Sequence, residues 1–276
     1  MNGRDRKTVV VRGGGDLASG TIWKLHRCGY KVFVLETAAP SAIRRKVAFS
    51  EAMYDGEAQV EGIVCKKANN LEQAEIVRKE GNIPILEDSN GSLITKLRPF
   101  AVVDAILAKK NIGTSKSMAP VTIALGPGFT AGIDVDAVVE TKRGHNLGRI
   151  YYKGSAAPNT GIPGIIAGYG KERVIHSPAE GILHQIKEIG CCVKKGEKIA
   201  EVGEEPVLAS LDGILRGVIR DGYQVKKGMK IADIDPRMEQ KKNCDTISDK
   251  ARCIAGGVLE ALIVLSEEME RKGEME

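Results

Sequence analysis

Near the start of the chain, Gly13-Gly14-Gly15-Asp16-Leu17-Ala18-Ser19-Gly20 follows the β-branched run Lys7 to Arg12. It opens a helical pattern that closes at Cys28-Gly29, and a second apolar run, Lys31 to Leu35, comes next. Glu36 ends that run, 36 − 15 = 21 residues after Gly15. Residues in this order can hold the phosphates of a nucleotide. Gly13 permits a tight turn, Gly15 lets the backbone approach a pyrophosphate, and Ala18 allows close helix packing. The helix start offers free N–H groups and the positive end of a dipole, and Glu36 can accept from a ribose hydroxyl. Asp16 puts a negative charge in the same turn, which repels a pyrophosphate or holds a magnesium ion bridging to it. Gly13, Gly14, Gly15, Asp16, Ala18 and Glu36 are therefore the candidate cofactor-binding residues.

A second run, Val121 to Leu125, ends in Gly126-Pro127-Gly128, where Pro127 stiffens the turn and removes one donor. A short strand, Ala137 to Glu140, precedes Arg143 and His145 on a glycine-containing loop that suits an anionic or pterin-like ligand. Asn159 and Thr160 lie in the stretch Lys153 to Gly164, which has few side chains able to build a core. Arg44-Arg45-Lys46 is a basic cluster just beyond Glu36, either a solvated turn or an anion contact. Arg44, Gly126, Gly128, Arg143, His145, Asn159 and Thr160 are thus candidate ligand-loop residues. His145, Tyr151 and Lys153 could donate a proton to a carbonyl substrate, but in no recognised catalytic arrangement, so catalytic residues stay unassigned. The six cysteines form no C-x-x-C pair, so free thiols and no metal site are expected.

These loops need rigid elements to hold them. Apolar runs alternate with helical patterns such as Leu71 to Lys79, then Ile83 to Leu86, and predict a Rossmann-like N-terminal domain over 1–117. A glycine-rich strand and loop region should occupy 118–172. Residues 173–237 repeat with a period of 32: Gly190-Cys191-Cys192-Val193-Lys194-Lys195-Gly196 returns as Gly222-Tyr223-Gln224-Val225-Lys226-Lys227-Gly228. A unit of short strands and glycine turns cannot bury a face alone, whereas two copies can. This predicts a duplicated β-sandwich of the biotinyl/lipoyl barrel-sandwich type. The hairpin between the copies, Val202 to Val207, has no lysine, so a swinging-arm carrier is not expected. A C-terminal helix over 238–276 should start at a capping box of Thr246 and Asp249 and bury Val258 to Leu265 against a domain or a second copy.

Lysine and arginine exceed aspartate and glutamate by 41 − 36 = 5 and are interspersed with them, which argues against a nucleic-acid face. No run approaches the roughly 18 apolar residues of a membrane span, and the polar N-terminus does not read as a signal peptide. A cytoplasmic protein is expected.

Several segments together resemble the YqeB-type accessory proteins of selenium-dependent molybdenum hydroxylases. They are Gly13 to Gly20, Leu125 to Gly132, Glu140 to Gly148, Gly154 to Gly164, the repeated Val-Lys-Lys-Gly units, Asp233 to Arg237 and Ser248 to Ala261. The resemblance implies a cytoplasmic maturation factor that binds molybdopterin or a nucleotide. Its partner would be the hydroxylase apoprotein or its maturation machinery. It carries over no catalytic residue. An NAD(P)-dependent oxidoreductase and a non-catalytic adaptor are the alternatives.

Overall fold

The structure, a computed structural model, describes residues 7–161, 164–271 and 273. The Ile162-Pro163 step of the expected binding loop and the stretch before Lys7 lie outside the described residues. The chain divides into two compact units rather than four consecutive stretches. One takes the chain up to Pro40, Phe49–Asn159 and everything from Ile247 on; the other takes Ser41–Ala48 and Thr160–Thr246.

In the first unit, β1 (Thr8–Arg12) leads through α1 (Asp16–Arg27) to β2 (Lys31–Glu36). The short α2 (Ala52–Asp55) precedes the hairpin β3 (Glu57–Val60) and β4 (Ile63–Ala68), and α3 (Leu71–Lys79) leads to β5 (Ile83–Glu87). After α4 (Ile94–Leu97) come β6 (Ala101–Asp104), β7 (Val121–Leu125), β8 (Ala137–Val139) and β9 (Ile150–Tyr151). They form one nine-stranded sheet in the order β3-β4-β5-β2-β1-β6-β7-β8-β9. All neighbours from β4 to β8 are parallel, and only the two edge strands are antiparallel. The middle strands are unbroken apolar runs because both faces of a parallel sheet are covered; Val9, Val10, Val11, Val102 and Val103 are fully buried.

The expected Rossmann-like domain does not form. A doubly wound sheet needs a helix in every crossover, and only α1 and α3 serve here. From β5 to β8 the connections hold Gly91, Pro99, Gly113, Pro120, Pro127 and Gly128 and are too broken to wind more than the four residues of α4. The sheet therefore runs past residue 117 without a boundary. The last helix, α5 (Asp249–Arg271), covers this stretch and packs on α1. That packing needs small residues: a Cβ on Gly20 would sit 2.9 Å from the Ala251 side chain, and Gly257 has no room for one beside Gly148. The cap also differs from expectation. Ser248 Oγ accepts from the Ala251 N–H at 3.2 Å, while the Thr246 hydroxyl turns back to Asn243 O.

The second unit corrects the other half of the expected fold class. In place of a biotinyl/lipoyl-like sandwich confined to 173–237 stand two four-stranded antiparallel sheets with further segments packed on them. The strands are β10 (Val174–His176), β11 (Gly181–Gln185), β12 (Cys192–Val193), β13 (Lys198–Val202), β14 (Glu205–Leu208), β15 (Gly213–Val218), β16 (Gln224–Val225) and β17 (Lys230–Asp235). The sheet orders are β10-β17-β15-β12 and β14-β13-β11-β16, so each sheet draws strands from both copies of the repeat. One apolar cluster, including Leu183, Val193, Ile199, Leu215, Val225 and Ile231, lies beneath them. Ser41–Ala48 belongs here too: Arg45 Nε donates to Val218 O at 2.9 Å, and Gly217 leaves space for Ile43.

Candidate functional site

In the first unit, the loops that follow β1, β2, β5, β6, β7 and β8 all leave the carboxyl edge of the sheet, because those strands are parallel. The chain steps from β1 to β2 on one side and later returns to β6 on the other, so the strand order reverses beside β1. Open α/β sheets bind ligands outside the carboxyl ends at such a reversal.

Gly13 takes φ +95°, donates to Leu35 O at 2.8 Å, and would place a Cβ 2.9 Å from Ala105 O. Gly14 donates to Glu36 Oε2 at 2.7 Å and its carbonyl accepts from Ser50 N–H at 2.9 Å. Gly15 is the N-cap of α1, extended at φ −65°, with no side-chain cap, and nothing lies within 4 Å of where its Cβ would be. Gly13 and Gly14 are thus held by the protein itself, while Gly15 faces open space at a helix start. Asp16 lies in the first turn and Ala18 is fully buried.

Glu36 does something other than wait for a ribose. Its two oxygens accept from the Gly14 and Thr37 N–H groups at 2.7 and 2.8 Å, fastening the glycine turn to the end of β2. Burial raises its pKa above the ordinary carboxylate value, outweighing these two N–H donors, which pull it down.

At the reversal itself sits a buried polar group that sequence reasoning missed. Arg12 Nη1 donates to Thr114 Oγ1 at 2.5 Å, Nη2 donates to Ser89 O at 3.0 Å, and Asp104 Oδ2 lies 3.8 Å from Nη1. The Thr114 hydroxyl donates on to Asp104 at 2.6 Å. Desolvation raises the Asp104 pKa, although Thr114, the Ile106 N–H and Arg12 all pull it down. The available signal was one charged residue ending each of two apolar runs, Arg12 and Asp104.

The second glycine turn is filled. A Cβ on Gly126 would meet Thr141 Oγ1 at 2.5 Å, and one on Gly128 would meet Lys110 Cα at 2.6 Å. Arg143 is held by Asp249 in the first turn of α5, in a two-pronged pair at 2.8 and 2.9 Å. Buried Glu140 accepts from the Lys142 and Ala157 N–H groups, pinning two loops at once. His145 and Asn159 are exposed, and the Tyr151 ring packs against Ala124, Phe129 and Val138 as core. Arg44 and Thr160 belong to the other unit; Arg44 is buried there and donates to Asn243 O and Thr246 O at 3.3 and 3.1 Å. Among the described residues no three His, Cys, Asp or Glu side chains gather to hold a metal ion. Among the described residues no helix is long and apolar enough to cross a membrane.

No family model matches the chain. A protein of Escherichia coli (strain K12), Uncharacterized protein YqeB, is 50% identical to it over 257 residues, 93% of this chain. The chain is YqeB-like. It spans about half of that relative, 47% of its length. Solved structures resemble it weakly. The ectoine utilization protein EutE (DoeB) of Ruegeria pomeroyi, bound to product, is 13% identical over 82% of this chain and 56% of its own, with a TM-score of 0.23. A succinylglutamate desuccinylase/aspartoacylase of Rhodobacter sphaeroides and an aspartoacylase family protein of Mesorhizobium loti are each 14% identical. Both align over 83% of this chain and 84% of their own, with TM-scores of 0.25.

Proposed function

We propose that this YqeB-like chain binds a phosphate-bearing small molecule, of the nucleotide or molybdopterin type, at the turn between β1 and α1. We place that binding in the maturation of selenium-dependent molybdenum hydroxylases, with the hydroxylase apoprotein or its maturation machinery as partner. One observation carries the ligand class: Gly15 begins a twelve-residue helix with no side-chain cap and open space where a Cβ would be. Helix N–H groups so exposed attract anions through hydrogen bonds and the helix dipole. Two acidic residues flank the opening. Glu36 holds Gly14 in place, and its two oxygens each accept one N–H, which leaves lone pairs for a sugar hydroxyl. Asp16, in the first turn of α1, adds a negative charge beside the opening, which repels a pyrophosphate or holds a magnesium ion that bridges to it.

The maturation role rests on the similarity to YqeB-type sequences, and the ligand on the turn. The two are tested separately. Calorimetric titration with NAD, NADP, ATP, CTP and molybdopterin should give saturable binding to one of them. Gly15→Val should abolish binding at this turn, because φ −65° and the empty surroundings admit valine at the cost of an N-cap glycine only. Equal binding by the variant would remove the ligand from this turn. Deleting the gene should abolish molybdenum hydroxylase activity while leaving the hydroxylase polypeptide present; normal activity in the deletion strain would refute the maturation role.

A further inference from the structure

The duplication in the second unit supplies an internal comparison. In the first copy, Gly190 N–H donates to Leu215 O, Cys191 N–H to Glu188 O, and Leu215 N–H to Cys191 O, at 2.8, 3.1 and 2.9 Å. In the second, Gly222 N–H donates to Leu183 O, Tyr223 N–H to Arg220 O, and Leu183 N–H to Tyr223 O, at 2.8, 3.2 and 3.0 Å. Each residue is exchanged for its counterpart 32 positions away in the other copy, so the two turns share one backbone design and differ in what they carry. Tyr223 packs its ring against the core of the unit. At the matching place stands Cys191, which has no ring, and a cavity of about 530 Å³ lies there.

The walls of that cavity are Ile189, Gly190, Cys191 and Cys244 with Lys46, Lys241, Lys242 and Asp245. Lys241 and Lys242 come from the 3-10 turn Met238–Asn243, and Lys46 from the 3-10 turn Arg45–Val47. Three ammonium groups against one carboxylate leave a charge of 3 − 1 = +2, which matches a phosphate dianion. Lys46 Nζ gives one hydrogen to Ile189 O at 3.0 Å, an anchor that fixes where its charge points. Burial raises the Cys244 thiol pKa and Asp245 adds to the rise, while Arg44, Arg216 and Lys46 pull it down. The depression is open to solvent, with Lys46, Lys241, Lys242 and Asp245 exposed, and is larger than a bare phosphate needs; Ile189 and the thiols offer contact to an uncharged remainder.

We infer that this cavity, opened by Cys191 where the other copy has Tyr223, is a second site for a small molecule carrying a phosphate group, independent of the turn at Gly15.

Pyrophosphate and inorganic phosphate serve as probes on the full chain. Iodoacetamide labelling of each cysteine, followed by mass spectrometry, supplies the readout, with exposed Cys192 as the neighbouring control. Saturating pyrophosphate should slow labelling of Cys191 and leave Cys192 unchanged. Lys241→Ala/Lys242→Ala should raise the calorimetric Kd for pyrophosphate by about tenfold or more, as expected for losing two charge-assisted contacts. Placed in the Gly15→Val background, Cys191→Tyr should abolish pyrophosphate binding yet unfold as cooperatively as that background, since the second copy seats a tyrosine on the same backbone. Binding should persist in Gly15→Val, which separates this site from the one proposed at the first glycine turn. Equal protection of Cys191 and Cys192, full binding by Cys191→Tyr in the Gly15→Val background, or loss of binding in Gly15→Val would each overturn the inference.

Discussion

The two glycine turns of the first unit look alike as sequence and differ in what surrounds them. Both follow a buried strand, β1 or β7, and both leave the carboxyl edge of the sheet. At Gly126 and Gly128 the missing side chains are replaced by Thr141 and by the Lys110 backbone. At Gly13 and Gly14 the same is true, with Ala105 and Ser50 as the occupants. Only Gly15 is left facing nothing. A glycine in such a turn therefore marks a close approach of some backbone, and whether the visitor is the protein or a ligand is decided by the neighbouring loop. Here one segment serves both turns. The loop after β6 sends Ala105 against Gly13 and Lys110 against Gly128.

The largest effect should come from releasing that shared loop. Asp104 and Thr114 bracket it, and both meet buried Arg12. Asp104→Ala would leave the guanidinium in the interior without its carboxylate, a change that costs about 3–5 kcal/mol when one member of a buried pair is removed. Urea unfolding should show that loss. A loss below about 1 kcal/mol, the size of an exposed pair, would mean that Arg12 needs no carboxylate.

A smaller and more selective effect separates the turns from each other. Gly128→Ala forces a side chain onto φ +107° and into the Lys110 backbone at 2.6 Å. Strain and overpacking together should cost roughly 2–4 kcal/mol. Gly15→Ala meets neither obstacle and loses only an N-cap glycine, which should cost about 1 kcal/mol or less. Similar unfolding midpoints for the two variants would erase the distinction between a filled turn and an open one.

Much of the scaffold was legible because local pattern sufficed. The strand at Val121–Leu125 and the helix at Leu71–Lys79 fall where their apolar spacing puts them. The period of 32 reappears as matched hydrogen bonds in two turns. What failed needed knowledge of which distant segments meet. Continuous apolar runs fit a Rossmann-like sheet equally well, and only the broken crossovers after β5 decide against one. Ser41–Ala48 belongs to the second unit, where Arg44 is buried and donates to Asn243 O and Thr246 O. Arg12 read as the end of a strand, since its partners are 77, 92 and 102 positions away.

The smallest expected effect tests why the first turn keeps its shape. Glu36 is raised above its usual pKa because burial outweighs the Gly14 and Thr37 N–H groups that favour its charge. A carboxyl raised on folding holds its proton more tightly in the folded than in the unfolded chain. Its contribution to stability is then fully present below the ordinary value of 4.5 and is lost as pH rises through the raised one. Glu36→Gln removes this titration. The stability of the parent relative to the variant should therefore decline from pH 4.5 upward and level off once the carboxyl is ionised. Urea unfolding of both proteins at half-unit steps would measure it. A difference that grows with pH would mean that the two N–H donors win over burial. The turn would then be built around a settled anion, leaving less positive field at Gly15 for a phosphate to use.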